Sequence, residues 1–144
     1  MRVLMCIRSD YFRNFGGDSM QMLKSVEYLK KLGVEAHINA GDITDFSSYD
    51  IIHLFNLSSM GETYKYYKIA KSYKKNIVLS PLYWDRTLYY KYINNTEKLK
   101  LWERCSAYRK EIVQGCKAIY PNSYMEAELL KKQIYHRGNY VVIY

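Results

Sequence analysis

Short apolar runs alternate along the chain with longer stretches in which apolar residues return every three or four positions. Residues 2–7 (RVLMCI) form a nearly continuous apolar run, the pattern of a parallel strand buried on both faces. The loop SDYFRNFGG follows and ends in Gly16-Gly17. From Ser19 to Leu32, the residues Met20, Leu23, Val26, Leu29 and Leu32 recur at helical spacing and predict a single buried stripe. Asp18 is placed to cap that helix with Gln21 completing a capping-box pattern, and Gly33 is its natural stop. Residues 34–38 predict a second strand, 51–55 a third interrupted by His53, 60–73 a lysine-rich helix and 76–79 a fourth strand. After an irregular aromatic segment around Pro81, the pattern predicts one long helix over 97–114, a short strand over 117–120, a helix over 123–134 and a last strand beginning at 141–143.

Strands separated by helices make βαβ units and therefore a parallel sheet with right-handed crossovers. The predicted fold class is α/β, a Rossmann-like three-layer α/β/α sandwich whose mainly parallel sheet has about six strands. Residues 1–144 suit one such domain. Ligands of open α/β sheets bind outside the carboxyl ends of the strands, so the loops there carry the candidate chemistry.

Composition narrows the classes. The opening MRVLMCIRSD is too short an apolar stretch for a secretory leader, and no run approaches the ~20 apolar residues of a membrane span. Cys6, Cys105 and Cys116 are odd in number and form no CxxC pair, which argues against a disulfide framework or a metal site and for a cytoplasmic protein. The net charge of +8 favours anionic partners: nucleotide phosphates, the inner face of an anionic membrane approached peripherally, or nucleic acid, the least favoured of the three. The 17 tyrosines beside many Lys, Ile and Asn residues also match the coding bias of an AT-rich genome, a source of charge without purpose. There is no GxGxxG fingerprint, no acidic residue at the end of the second strand and no Walker A motif, so neither a dinucleotide cofactor nor a P-loop is expected. Lys65, Lys68, Lys71 and Lys75 share much of one helix face between tyrosines, which suits either a solvated face or an anionic surface.

Several loop residues have two open readings. Gly16 and Gly17 let a backbone approach a phosphate at a helix N-terminus, or make a tight turn with no ligand. His53, near the end of its strand, is either a weak catalytic candidate or a hydrogen-bonded core histidine. Asn56, Ser58 and Ser59 can bond sugar hydroxyls or shape a turn. Glu126 can border a site or simply complement a helix dipole, an effect of roughly 0.3–1 kcal/mol.

Four segments in order resemble a known family. They are the first strand followed by Gly16-Gly17, the strand YDIIH at 49–53, VLSP at 78–81, and AIYPNS at 118–123 leading to Glu126. Together, over nearly the whole chain, they resemble the N-terminal domain of the retaining group-1 glycosyltransferases of GT-B fold. That resemblance implies a domain that binds a saccharide or lipid-linked sugar acceptor and transfers a hexose from a nucleotide sugar, without metal. The nucleotide sugar is a co-substrate gripped by a C-terminal domain, so this chain alone is expected to be inactive. The chain stops at VVIY where a strand has just begun, which agrees with that expectation. Arg8, Gly16, Gly17, Asn122, Ser123 and Glu126 are the residues implied to border the cleft. Many members carry a histidine after the fourth strand; here the segment is Ser80-Pro81-Leu82-Tyr83-Trp84-Asp85-Arg86. Tyr83, Trp84 or Asp85 would take that position, the rings packing on a sugar face and the carboxylate accepting hydroxyl bonds; packing beneath the loop is the competing role. The alternative function is a stand-alone Rossmann-like module that binds a phosphorylated ligand, an anionic membrane or RNA.

Overall fold

A computed structural model describes residues 1–143. Five strands form one sheet in the order β2-β1-β3-β4-β5, all parallel. They are β1 (Arg2–Cys6), β2 (Glu35–Asn39), β3 (Ile51–Phe55), β4 (Asn76–Ser80) and β5 (Ala118–Ile119). The helices are α1 (Gly17–Lys31), α2 (Gly61–Ser72), α3 (Thr87–Tyr92), α4 (Thr96–Arg104), α5 (Ser106–Gly115) and α6 (Tyr124–Gln133). None among the described residues is long and apolar enough to cross a membrane.

Successive side chains of a strand point to opposite faces, and here both faces are covered, so the strands read as apolar runs. Val3, Met5 and Ile7 pack with Met22 and Val26 of α1. Leu4, Ile52, Leu54, Ile77, Leu79 and Ile119 pack on the opposite face with Tyr66, Tyr67 and Ala70 of α2, Ile112 of α5 and Leu130 of α6. The result is the expected Rossmann-like sandwich of three layers.

The structure departs from the sequence pattern at four places. Among the described residues the sheet has five strands, not six: Val141 donates to the Ile119 carbonyl at 2.8 Å and Ile143 to the Pro121 carbonyl at 2.9 Å, yet only the single bridge between Ile119 and Tyr140 forms there. The rung that residue 121 should return is missing because proline has no N–H. In α1 the buried side chains are Asp18, Ser19, Met22 and Val26, whereas Met20 and Leu32 are exposed. The true stripe follows the spacing of three then four, while the run of threes drifts off the core. The expected long helix divides into α4 and α5 at Cys105, with the Trp102 carbonyl accepting from the Arg109 guanidinium at 2.9 Å. The aromatic segment after Pro81, expected to be irregular, contains α3.

The helix ends are set locally. Gly33 has φ of 82° and follows α1, with Gly33 N–H bonded to the Lys30 carbonyl and Val34 N–H to the Leu29 carbonyl, the paired bonds of a Schellman stop. The tyrosines among the α2 lysines divide: Tyr66 and Tyr67 are core, while Lys65, Lys68 and Lys71 face solvent.

Gly115 ends α5 directly against the buried Tyr67 ring, where an added methyl group would overlap the ring's hydroxyl end. Gly115→Ala is therefore expected to cost about 1–3 kcal/mol by overpacking. Urea denaturation should show a lower midpoint with an unchanged slope; an unaltered midpoint would mean the ring moves freely.

Candidate functional site

The loops after β1, β3, β4 and β5 meet at the carboxyl edge of the sheet, where they enclose an open cleft of about 470 Å³. Gly17, Asn56, Tyr83, Trp84, Asn122 and Glu126, all singled out from the sequence, line it together. Asp18, Ser58, Leu82 and Arg86 complete the wall. Asn56 and Leu82 adopt left-handed backbone, with φ of 82° and 44°.

An ion pair supports the first loop. Asp18 is 6% exposed and accepts from Arg8 at two points, Nε to Oδ2 at 2.9 Å and Nη2 to Oδ1 at 3.0 Å. Burial alone would raise the Asp18 carboxyl, but the bonds from Arg8 and Asn56 outweigh it and hold the group below its ordinary value. Arg8 also bonds Asp10 at 3.0 Å, the Ser19 hydroxyl at 3.2 Å and the Asn14 carbonyl. Its charge is thus committed within the protein, and it stands behind the cleft wall rather than in it. Gly16, not Asp18, is the residue before the first turn of α1, and the Ser19 hydroxyl accepts from its N–H at 3.3 Å. Asp18 lies within that turn, so a carboxylate already occupies the electropositive start of the helix.

Several chosen side chains are committed to holding the loops. The Asn56 carbonyl oxygen accepts from the Ser58 and Ser59 N–H groups, each at 2.9 Å, and its amide donates to Asp18 at 3.3 Å. Glu126 accepts from Tyr83 N–H at 3.1 Å and from Asn122 N–H at 3.0 Å, clamping the loops after β4 and β5 to α6. Ser123 caps α6, accepting from Glu126 N–H at 3.1 Å. Asn122 exchanges paired amide bonds with Gln21 of α1, both at 3.1 Å. Tyr83 is buried, stacked on Trp102 with centroids 6.0 Å apart, its hydroxyl donating to Gln133 at 2.9 Å. Trp84 is 58% exposed, with the Arg86 guanidinium 5.6 Å from its ring centroid.

His53 and Asp85 lie outside the cleft. His53 is buried, stacked on Phe55 at 4.3 Å and bonded to the Ser80 hydroxyl at 2.8 Å. Burial pulls its pKa down to about 3, so the ring is neutral at physiological pH and serves the sheet. Asp85 accepts from Thr87 N–H at 2.9 Å and from Gln133 at 3.1 Å, which anchors the start of α3 to α6. Burial opposes its ionisation, but these bonds lower its pKa overall. The Cys6 and Cys116 thiols are pushed up to about 12 by burial and are poor nucleophiles. Among the described residues no group of three His, Cys, Asp or Glu side chains is placed to hold a metal.

Sequence reasoning passed over Arg86 and Arg109. Arg109 is 3% exposed, stacks on Trp102 at 3.7 Å and donates to the Leu57 and Trp102 carbonyls at 3.0 and 2.9 Å. The signal was present: Arg109 continues the stripe of Trp102, Cys105 and Ile112, a cation at an apolar position. No family model and no curated protein matches the chain. The fold and the position of the cleft define a Rossmann-like α/β protein with its candidate site at the carboxyl edge of the sheet.

A histidine with an ordinary pKa of 6.5 that falls to about 3 on folding binds its proton more readily in the unfolded chain. Its contribution is complete above pH 6.5 and declines as pH falls toward 3. His53→Val should therefore remove up to ~1.4 kcal/mol per pH unit from the slope of unfolding free energy across that window. Chemical denaturation of both proteins from neutral to mildly acidic pH measures it; parallel slopes would contradict a neutral buried His53.

Proposed function

We propose that the chain is the acceptor-side domain of a GT-B-type retaining sugar transferase, holding a saccharide or lipid-linked sugar acceptor in the cleft at the carboxyl edge. The observation that carries this reading is convergence: residues in or shortly after the four resembling segments, Gly17, Asn56, Trp84, Asn122 and Glu126 among them, line one cleft. Trp84 offers an exposed ring suited to the apolar face of a sugar. The donor nucleotide sugar belongs, on this reading, to a second domain, so transfer requires that domain and acceptor binding does not.

Trp84 is also the natural reporter, because Trp102 is only 7% exposed. Titrating the chain with short oligosaccharides should change tryptophan emission in a saturable way, retained in Trp102→Phe. In Trp84→Leu the response should vanish and affinity fall about tenfold, near 1.4 kcal/mol. No emission change and no backbone shift at the cleft with any oligosaccharide would remove the reading.

A further inference from the structure

Beside the cleft, sharing Ser58 and Arg86 with it, lies a larger open cavity of about 830 Å³. Its charges do not balance. Of the two carboxylates on its wall, Asp10 is paired with Arg8 and bonded by Asn14, while Glu62 accepts from the Ser9 N–H at 2.6 Å and hydroxyl at 2.9 Å and keeps its charge. Arg8 faces two carboxylates, Asp18 and Asp10, so that group is net negative and, with Glu62, offsets part of the remaining positive charge. Three further cations line the cavity, Arg86, Lys98 and Arg109, and among the described residues none has a carboxylate within ion-pair distance. Two of them crowd one ring, with the Arg109 guanidinium 3.7 Å and that of Arg86 6.0 Å from the Trp102 centroid. Arg109 is buried and bonded to the Leu57 and Trp102 carbonyls, so it adds positive field to the cavity, while Arg86 and Lys98 are left to contact an anion. Like charges sharing one ring repel, and an anion in the cavity offsets that repulsion. The start of α2 opens onto the same space, with Glu62 in its first turn already complementing the helix end.

We propose that this cavity binds the phosphate group of a phosphorylated saccharide whose sugar lies in the adjoining cleft, with Arg86 at the junction of the two. The sugar half rests on the function proposed above; the phosphate half rests on the charge arrangement alone. Backbone-amide NMR titration of the chain with pyrophosphate, glucose 1-phosphate and methyl glucoside tests both. Pyrophosphate should shift the amides around Met60, Gly61 and Lys98, weakening with added salt. Glucose 1-phosphate should shift those and the amides of Trp84 and Asn122. The double variant Arg86→Gln, Lys98→Gln should bind both anions at least about tenfold more weakly. Lys98→Gln alone, at an exposed position, should still weaken pyrophosphate severalfold if the double variant does not fold. Tighter binding of farnesyl diphosphate than of glucose 1-phosphate would assign the phosphate to a lipid carrier, and the reverse to a soluble sugar phosphate; both uphold the site. Pyrophosphate binding unchanged in the variants, or shifts only elsewhere, overturns the proposal. Anion shifts in the cavity without any sugar response at the cleft would uphold the phosphate site and defeat the saccharide reading instead.

Discussion

The carboxyl edge of this domain hangs on Arg109. A guanidinium buried without a carboxylate is costly unless its N–H groups are satisfied and its face is covered. Here the Leu57 and Trp102 carbonyls accept from Nε and Nη1, and the Trp102 ring covers the guanidinium face. Those contacts tie the loop after β3 to the break between α4 and α5. Trp102 then carries the connection onward by stacking on Tyr83, whose hydroxyl reaches Gln133 of α6. One cation thus sets the spacing of three loops that the sheet alone would leave independent.

A second layer of polar bonds shapes the cleft. Asp18 with Arg8, Asn56 with the turn at Ser58 and Ser59, and Glu126 with two backbone N–H groups are all internal arrangements. Most residues whose chemistry suggests ligand contact are therefore supports. Trp84 faces outward, and Arg86, half-buried beside it, is without an ion-pair partner among the described residues. Internal bonds of this kind hold the loops in place, as a preorganised site would require.

The alternation of elements was legible because a parallel sheet covered on both faces turns burial directly into apolar runs. The cleft's location followed from the same logic, since ligand loops of such sheets lie at the carboxyl ends. What the pattern did not reveal depends on single bonds. A missing N–H at Pro121 halts the sixth strand, and a guanidinium four residues past Cys105 takes a helix carbonyl. Roles within the cleft were equally hidden, because the deciding partners are remote in sequence: Gln21 and Asn122 are 101 residues apart, and Tyr83 and Glu126 are 43 apart. Periodicity reports which face of an element is buried, not which side chain will claim a given N–H. His53 shows the same limit, since its strand position suits both a site and a core.

The wall of the cleft draws on loops after β1, β3, β4 and β5, so no local segment can form it alone. It exists only when the whole sheet has assembled, and it is lost when the sheet unfolds. Occupancy and folding are consequently linked by mass action: a ligand present at a hundred times its Kd would add about 2.7 kcal/mol to the free energy of unfolding. A domain built this way would hold itself more firmly with its cleft filled, so any ligand of the cleft would also lengthen its lifetime against proteolysis.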